Sequence, residues 1–184
     1  MDDAADGGKV KERYNGSGAT VRGFNVEGRA AFTRWFELQA GVTLQQSRYK
    51  EPEFWSEDAE VPPVRRMFRT PDAYGYFTAS FKPVRNFTAD LSGTCTGSML
   101  VQHMAGSGVA QDVAVSTPSF FDMNIRLSYD VRIYKEITMQ LYGGVQNLFN
   151  AYQKDFDKGV DRDSGYIYGP SLPRSWFIGA KVSF

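Results

Sequence analysis

The sequence is poor in the residues on which several functional classes depend. Its 184 residues include one cysteine, Cys95, and one histidine, His103. A single cysteine excludes a disulfide framework and a cysteine-rich zinc site, and a single histidine excludes a multi-histidine metal site within the chain. The 21 basic residues are balanced by 21 acidic ones, so the basic excess typical of nucleic-acid-binding proteins is missing. We therefore predict no nucleic-acid partner.

Long hydrophobic segments are absent as well. No stretch approaches the roughly 18 consecutive apolar residues of a transmembrane helix. Residues 1–8 have neither the basic nor the apolar region of a signal peptide. One membrane class nevertheless passes these tests. A strand of a transmembrane β-barrel needs only about ten residues and alternates apolar with polar side chains, so its hydropathy signal is weak.

Aromatic residues (15%) and 18 glycines are plentiful, which favours strands and turns over helices. Seven segments alternate apolar and polar residues with period two, the pattern of a strand with one apolar face. The longest, 87–102, is predicted as one continuous strand. The seven segments are 24–33, 36–45, 73–82, 87–102, 121–131, 137–146 and 174–184.

The connections between these segments alternate in length. Short ones lie at 33–35, 83–86 and 132–136, and long polar ones at 50–71, 103–118 and 150–173. Outer-membrane barrels show this alternation, with short periplasmic turns and long extracellular loops. We predict an all-β fold of about seven antiparallel up-and-down strands that form part of a transmembrane β-barrel. The apolar parity would face lipid, and aromatic residues would collect at both membrane interfaces. A soluble β-sandwich also alternates, so a sandwich binding module with long ligand-binding loops is the alternative.

The number of strands predicts a fragment. Seven strands cannot close an all-antiparallel barrel, and single-chain bacterial barrels have even numbers of strands. We expect residues 1–19 to be a loop tail or a disordered N-terminus and residues 20–184 to be the barrel segment. The rest of the barrel would lie upstream.

The last 40 residues resemble a known family. Three motifs occur in the order and at the spacing found at the end of TonB-dependent outer-membrane receptors. The first resembles their N-L-F-[DN]-x-x-Y segment, although its tyrosine comes one position early. The second resembles their Y-G-x-x-x-P-R run, and the third resembles their terminal insertion signal. The matching residues are Asn147, Leu148, Phe149, Asn150 and Tyr152, then Tyr168, Gly169, Pro173 and Arg174, and finally Gly179, Val182 and Phe184.

The resemblance implies the C-terminal barrel segment of an importer in the bacterial outer membrane, not an enzyme. Such receptors have a 22-stranded barrel, an N-terminal plug and a segment that contacts TonB. Their ligands include iron-siderophores, haem, cobalamin and glycans. The implied partners are membrane lipid and lipopolysaccharide, the plug and upstream strands, TonB, the barrel-insertion machinery and a small-molecule ligand. No cofactor is predicted. Here the plug and the TonB-contact segment are expected to be absent.

Four residues are candidate ligand contacts. Tyr74, Tyr76 and Arg126 fall on the polar parity, where they suit contact with a sugar or siderophore, or packing against the plug. His103 begins a long loop, where it could ligate haem, although a plain loop residue at the interface is the preferred interpretation. No acidic neighbour or nucleophile accompanies it in the sequence, so no catalytic residue is predicted.

Two charged clusters lie in the long loops. One could hold calcium, but its spacing fits no known calcium loop, and we predict a solvated loop and no metal. The other pairs acidic with basic residues, which either neutralise one another or bind lipopolysaccharide. The first cluster is Asp155, Asp157, Asp161 and Asp163, and the second is Glu57, Asp58 and Glu60 with Arg65, Arg66 and Arg69.

Overall fold

The computed structural model describes residues 16–106, 108–170 and 172–184. Residues 1–15, most of the predicted N-terminal tail, lie outside this part. In these ranges no helix is long and apolar enough to cross a membrane. The described residues form ten strands: β1 (Ala19–Thr33), β2 (Phe36–Glu53), β3 (Val64–Arg66), β4 (Ala73–Phe81), β5 (Phe87–Thr96), β6 (Leu100–His103), β7 (Val113–Ser116), β8 (Phe120–Tyr134), β9 (Ile137–Gln146) and β10 (Ser175–Ser183).

Seven of these strands build one antiparallel sheet in the order β1-β2-β4-β5-β8-β9-β10. Each strand pairs with the next long strand along the chain, so the sheet has up-and-down topology. β3 is a short addition beside β2, and β6 and β7 form a separate hairpin. The predicted all-β fold with about seven antiparallel strands is confirmed.

The pairing register keeps the apolar parity on one face across the whole sheet. One row of paired residues runs from β1 to β10 as Ala30, Leu38, Ala79, Leu91, Ile125, Val145 and Trp176. We call this side the apolar face and the other side the polar face. A row on the polar face includes Glu37, Ser80, Asp90 and Arg126. Each parity prediction therefore survives in the assembled sheet, since side chains alternate along every strand.

Much of the apolar face is uncovered in the described part of the chain. Trp176 is 79% exposed and Ile178 is 92% exposed. A β-sandwich would bury this face against a second sheet about 10 Å away. The structure therefore argues against the sandwich alternative and favours a sheet whose apolar side meets a partner such as lipid.

Three predicted strand bounds are wrong. Segment 87–102 is not one strand, because β5 ends at Thr96 and β6 begins at Leu100 in a different sheet. The Gly97 amide still donates to the Ala73 carbonyl at 2.8 Å, but beyond it the backbone pairs with β7 instead of β8. In addition, β1 and β2 extend to Ala19 and Glu53. The outer ends of these two strands are mostly polar. They remain strands because their backbones pair with each other, which no alternation of apolar residues signals.

The connections follow the predicted alternation. Two to five residues join β1 to β2, β4 to β5 and β8 to β9, while long loops occupy the other end of the sheet. We call these loop A (54–72, with β3), loop B (97–119, with β6 and β7) and loop C (147–174). Because adjacent strands are antiparallel, all three long loops emerge at the same end, and this arrangement brings them together.

Candidate functional site in the long loops

Side-chain hydrogen bonds tie loop A to the other two loops. The Ser56 hydroxyl donates to the Asp112 carboxylate of loop B at 2.6 Å. The Arg69 guanidinium donates to the carbonyls of Ile167, at 2.9 Å, and Gly165 in loop C. The Arg69 amide donates to Leu100 at 2.7 Å. Arg69 therefore fastens loop A to both neighbours, and its positive φ of 56° is sustained by these contacts.

His103 joins loop B to loop C. Its Nε2 lies 3.1 Å from both carboxylate oxygens of Asp157, and the two side chains are only 7% and 3% exposed. The imidazole also stacks on the Tyr166 ring, with centroids 3.7 Å apart and planes 4° from parallel. Gly108 covers the pair, and a Cβ there would lie 1.9 Å from Asp157 Oδ1. We call His103, Asp157 and Tyr166 the loop clasp.

Backbone amides complete the clasp. The Asp163 amide donates to Asp157 at 3.0 Å, and the Met104 amide donates to Asp163 at 2.8 Å. The hydrogen bond from the Asp163 amide is the main cause that lowers the pKa of Asp157, and His103 adds to it. The clasp therefore holds an ionised carboxylate in a largely closed position.

Two tyrosines converge on Asp155 beside the clasp. The hydroxyls of Tyr166 and Tyr168 each donate to a different oxygen of this carboxylate, Tyr166 at 2.8 Å. Burial opposes ionisation of Asp155, but the two hydroxyls overcome it and lower its pKa. Burial is the main cause that raises the pKa of Tyr166, to about 12, and the hydrogen bond to Asp155 adds to it. The same two causes raise the pKa of Tyr168 more strongly. Both phenols are therefore protonated donors at neutral pH.

The buried Gln153 amide holds the two tyrosines in place. Its Nε2 donates to the Tyr166 carbonyl at 3.0 Å, and its Oε1 accepts from the Tyr168 amide at 3.0 Å. Gly169 then packs against Gln153, where a Cβ would lie 2.8 Å from the Gln153 nitrogen. This close approach explains the glycine of the second family motif.

The first family motif closes the base of loop C. Asn147, which is buried with a positive φ of 49°, donates to the carbonyls of Ala151 and Leu172 and accepts from the Ala151 amide, all at 2.8–2.9 Å. Asn150 accepts from the Arg174 amide at 2.9 Å. Both side chains thus cap backbone groups at the strand end, as asparagine side chains commonly do in turns.

The other motif residues pack around this base. The Leu148 amide donates to Met123 at 2.7 Å, and the Phe149 ring lies 5.9 Å from that of Phe121. Tyr168 packs on Phe120 at 5.7 Å. Pro173 lines the cavity in loop C next to the entry of β10. These contacts give the motifs a structural role in joining loop C to β8 and β10.

The three residues of the predicted insertion signal lie on the edge strand β10. Val182 is exposed on the apolar face, and Phe184 is fully exposed at the chain end. Gly179 lies on the polar face opposite Tyr142, where a Cβ would be 2.5 Å from the Tyr142 ring. Packing under this ring already explains Gly179, and a role in insertion stays a prediction.

The predicted ligand contacts do not form one site. Tyr74 and Tyr76 lie on β4, and the Tyr76 hydroxyl accepts from Gln39 at 3.3 Å. Arg126 lies on β8, where it donates to Gln140 at 3.2 Å and stacks over Tyr142 at 4.5 Å. In the described part of the chain neither group meets His103, which belongs to loop B. The polar face and the loop cluster are therefore separate places where a ligand could bind.

Sequence reasoning missed the partners of His103. The histidine does have an acidic neighbour, Asp157, although 54 residues separate the two, and it is buried, not a plain loop residue at the interface. No local pattern signals such a pair. The cluster of loop-C aspartates is divided among separate hydrogen bonds, and the described ranges contain no group of three or more histidine, cysteine or acidic residues that could hold a metal.

Two of the three basic residues of this loop-A cluster, Arg66 and Arg69, have other partners than predicted. Arg66 pairs with Asp72 at 2.9 Å and donates to the Ser98 carbonyl at 2.7 Å, and Arg69 reaches loop C. Asp58 accepts from the backbone amide of Glu60 at 3.0 Å. Arg66 and Arg69 therefore act in joining the loops. Contact of this cluster with lipopolysaccharide stays a prediction.

Comparison with known proteins places the fold among import receptors. The chain is similar to the ferric-catecholate import receptor Fiu from E. coli K12, with a TM-score of 0.62 and 21% identity over 88% of this chain and 20% of that one. It is also similar to the siderophore receptor PiuA from Acinetobacter baumannii, with a TM-score of 0.60 and 18% identity over 89% of this chain and 21% of that one. The resemblance found in the motifs is thus confirmed at the level of the fold.

The chain spans about one fifth of the length of these solved receptors. No protein-family model matches the sequence, and no curated protein matches it either.

Proposed function

We propose that this chain is the C-terminal barrel segment of a TonB-dependent receptor in the bacterial outer membrane, and that the receptor imports a ferric siderophore. The observation that carries the proposal is the seven-stranded sheet with an exposed apolar face, whose fold matches part of two siderophore receptors. Residues 20–184 are the barrel segment in this proposal, and β1 extends it by one residue, to Ala19.

The apolar face supports a position in the membrane. Many of its side chains are exposed, among them Phe24, Trp176 and Ile178. Aromatic rings gather at the short-turn end, where the Phe36 ring lies 4.8 Å from that of Phe81 and 6.1 Å from that of Trp35. Trp176 and Phe121 lie at the long-loop end. Aromatic residues at both levels are typical of barrels, because amphipathic rings favour the interfaces. Lipid and lipopolysaccharide are the partners we propose for this face and its rim.

The two edge strands support assembly with further strands. β1 and β10 each pair on one side only within the described sheet. In lipid an unpaired strand edge leaves backbone groups unsatisfied, at several kcal/mol each. We propose that other strands of the same receptor cover both edges, and that the barrel-insertion machinery reads β10 through Gly179, Val182 and Phe184.

The polar face supports contact with a ligand or with a plug domain. It carries a connected series of hydrogen-bonding groups, in which Asp130 accepts from Gln140 at 2.9 Å and Gln140 accepts from Arg126. We propose that Arg126, Tyr74 and Tyr76 contact the plug or an anionic chelate as it passes. TonB would act through the plug end of the receptor. No catalytic step is proposed, since the fold is that of transport receptors.

Quenching of tryptophan fluorescence by brominated lipid tests the membrane position. The chain has three tryptophans, Trp35, Trp55 and Trp176, and phenylalanine substitution of two at a time leaves one reporter. In bilayers of brominated lipid we expect strong quenching of Trp35 and Trp176. Trp55, whose indole nitrogen donates to Pro62 within loop A at 3.2 Å, should keep its fluorescence and serves as the matched control.

Equal quenching of all three tryptophans, or of none, would contradict the membrane position. A monomer rich in strands in plain buffer would contradict it as well.

The class of ligand is tested separately, by binding of ferric tris-catecholate to the chain in detergent. Arg126→Ala should weaken binding about tenfold, the cost of one charge-assisted hydrogen bond. Lys181→Ala, a loss of the same charge at the short-turn end, should have less effect.

A further inference from the structure

Loop C brings three oxygen donors to one point. Asp155, Tyr166 and Tyr168 come from a 14-residue stretch, and the two phenol oxygens each contact one carboxylate oxygen of Asp155. The tyrosine rings lie 5.4 Å apart and 68° from parallel, so the hydroxyls approach the carboxylate from different directions. The result is a converging set of donors and not a row along one surface.

The spacing of these oxygens suits an octahedral ion. Neighbouring ligands at about 2.0 Å from such an ion are about 2.8 Å apart. The Tyr166 oxygen already lies 2.8 Å from Asp155 Oδ2, and the Tyr168 oxygen is also within hydrogen-bond distance of Asp155. A metal ion can therefore replace the two shared protons with a small rearrangement of side chains.

The charges of the donors suit a trivalent ion. A hard cation prefers oxygen ligands, and a bound metal ion lowers the pKa of the group that coordinates it. Two phenolates and one carboxylate together carry three negative charges, which neutralise Fe³⁺. Binding releases two phenol protons to solvent and involves no change of oxidation state. A divalent ion would gain less from the loss of these protons, because its charge stabilises phenolate less.

The set is rigid on one side and open on the other. Tyr166 is only 2% exposed and is held by the His103 ring and by Gln153. Asp155 is exposed and faces a cavity of about 570 Å³, which it lines with Lys154, Tyr152 and Tyr168. An ion bound to the three donors would thus keep positions open toward this cavity, where water or the donors of a chelator can complete its coordination.

We propose that Asp155, Tyr166 and Tyr168 form a binding site for ferric iron on the loop side of the sheet. This site goes beyond the proposed function, in which the receptor imports iron bound to a siderophore. It rests on that function only because the siderophore would supply the ferric ion. Iron would bind the protein directly while its chelator remains in the adjoining cavity.

Titration of the full chain in detergent with ferric nitrilotriacetate tests the site. Phenolate coordination to Fe³⁺ gives a charge-transfer absorption in the visible region, and we expect it to saturate at one iron per chain. Tyr168→Phe removes one donor and keeps the ring. Asp155→Asn keeps an acceptor for one of the two hydroxyls, replaces the other oxygen by a donating amide nitrogen, and loses the charge. Each should weaken binding at least about 100-fold. Tyr152→Phe changes a tyrosine that lines the same cavity and is not one of the three donors, so it should bind as the unchanged chain does.

Three results would overturn the site. They are the absence of the absorption at one equivalent, an absorption that persists in Tyr168→Phe and Asp155→Asn, and an equal loss in Tyr152→Phe. Hydrogen exchange of the Met104 and Asp163 amides reports whether loop C stays folded in each variant. The tryptophan test is independent, because it reads the strands. Iron binding without lipid quenching would contradict the proposed function alone, and quenching without iron binding would contradict the site alone.

Discussion

Removal of the His103 imidazole should open the contact between loops B and C. In His103→Ala, Asp157 remains as a carboxylate only 3% exposed without its side-chain partner. Leaving a buried acceptor without its hydrogen-bond partner costs about 1–3 kcal/mol, and loss of the stacked ring adds about 0.5–1.5 kcal/mol. The Asp163 amide still donates to Asp157 and offsets part of this cost. We therefore expect a local loss of about 3 kcal/mol, or roughly a 100-fold larger open population.

Amide hydrogen exchange of the full chain in detergent measures this opening. The reporters are the Met104 amide, which donates from loop B to Asp163 in loop C, and the Asp163 amide, which donates to Asp157 within loop C. We expect their exchange to accelerate about 100-fold, as the opening population does. Arg29→Ala is the control, because it breaks an exposed ion pair with Glu37 far from the loops, and exposed ion pairs contribute little to stability.

A second variant separates a buried charge from lost packing. Asp157→Asn keeps an acceptor for the Asp163 amide but removes the charge, so the double variant His103→Ala/Asp157→Asn should exchange more slowly than His103→Ala alone. The reasoning is refuted if His103→Ala changes the two amides less than threefold, or if the double variant exchanges as fast as the single one or faster.

Four further outcomes follow from the same contacts. The raised pKa of Tyr166 means that its contribution to loop stability is complete below pH 10 and is lost as pH rises through about 12; spectrophotometric titration should show one tyrosine with this late midpoint, lost in Tyr166→Phe. The lowered pKa of Asp157 gives the opposite pH dependence. Its contribution to stability is present above the ordinary pKa of an aspartate and is lost as pH falls through its pKa in the folded protein, so amide exchange in loop C should accelerate in acid and not near neutrality. Asn147→Ala removes three side-chain hydrogen bonds and should cost about 2–4 kcal/mol, seen as faster proteolysis of loop C, whereas unchanged proteolysis would show that the cap is dispensable. Ile178→Arg on the apolar face should lower detergent-refolded stability by about 2–4 kcal/mol, and Ser92→Arg on the polar face should cost clearly less; equal costs would contradict the assignment of faces.

The strands and their faces could be predicted from the sequence because the signal is local. Side chains alternate with period two along any strand, so the apolar parity of each segment is visible without knowledge of its partners. The family motifs identified the last 40 residues as similar to the end of a receptor barrel. Their asparagines cap strand ends, a role that follows from local chemistry. The fold and the alternation of short and long loops were therefore available before any coordinates.

The contacts among the long loops could not be predicted from the sequence. The parity of segment 87–102 continues past Thr96, yet the strand ends there, because pairing depends on a neighbour that the pattern does not contain. His103 and Asp157 are 54 residues apart, and Arg69 and Gly165 are 96 apart. Both pairs form only because antiparallel strands deliver three long loops to the same end of the sheet. The sequence by itself thus determined which residues face which side of each strand, and the tertiary structure decided which loop residues meet, since alternation is a property of one segment and contact is a property of the assembled chain.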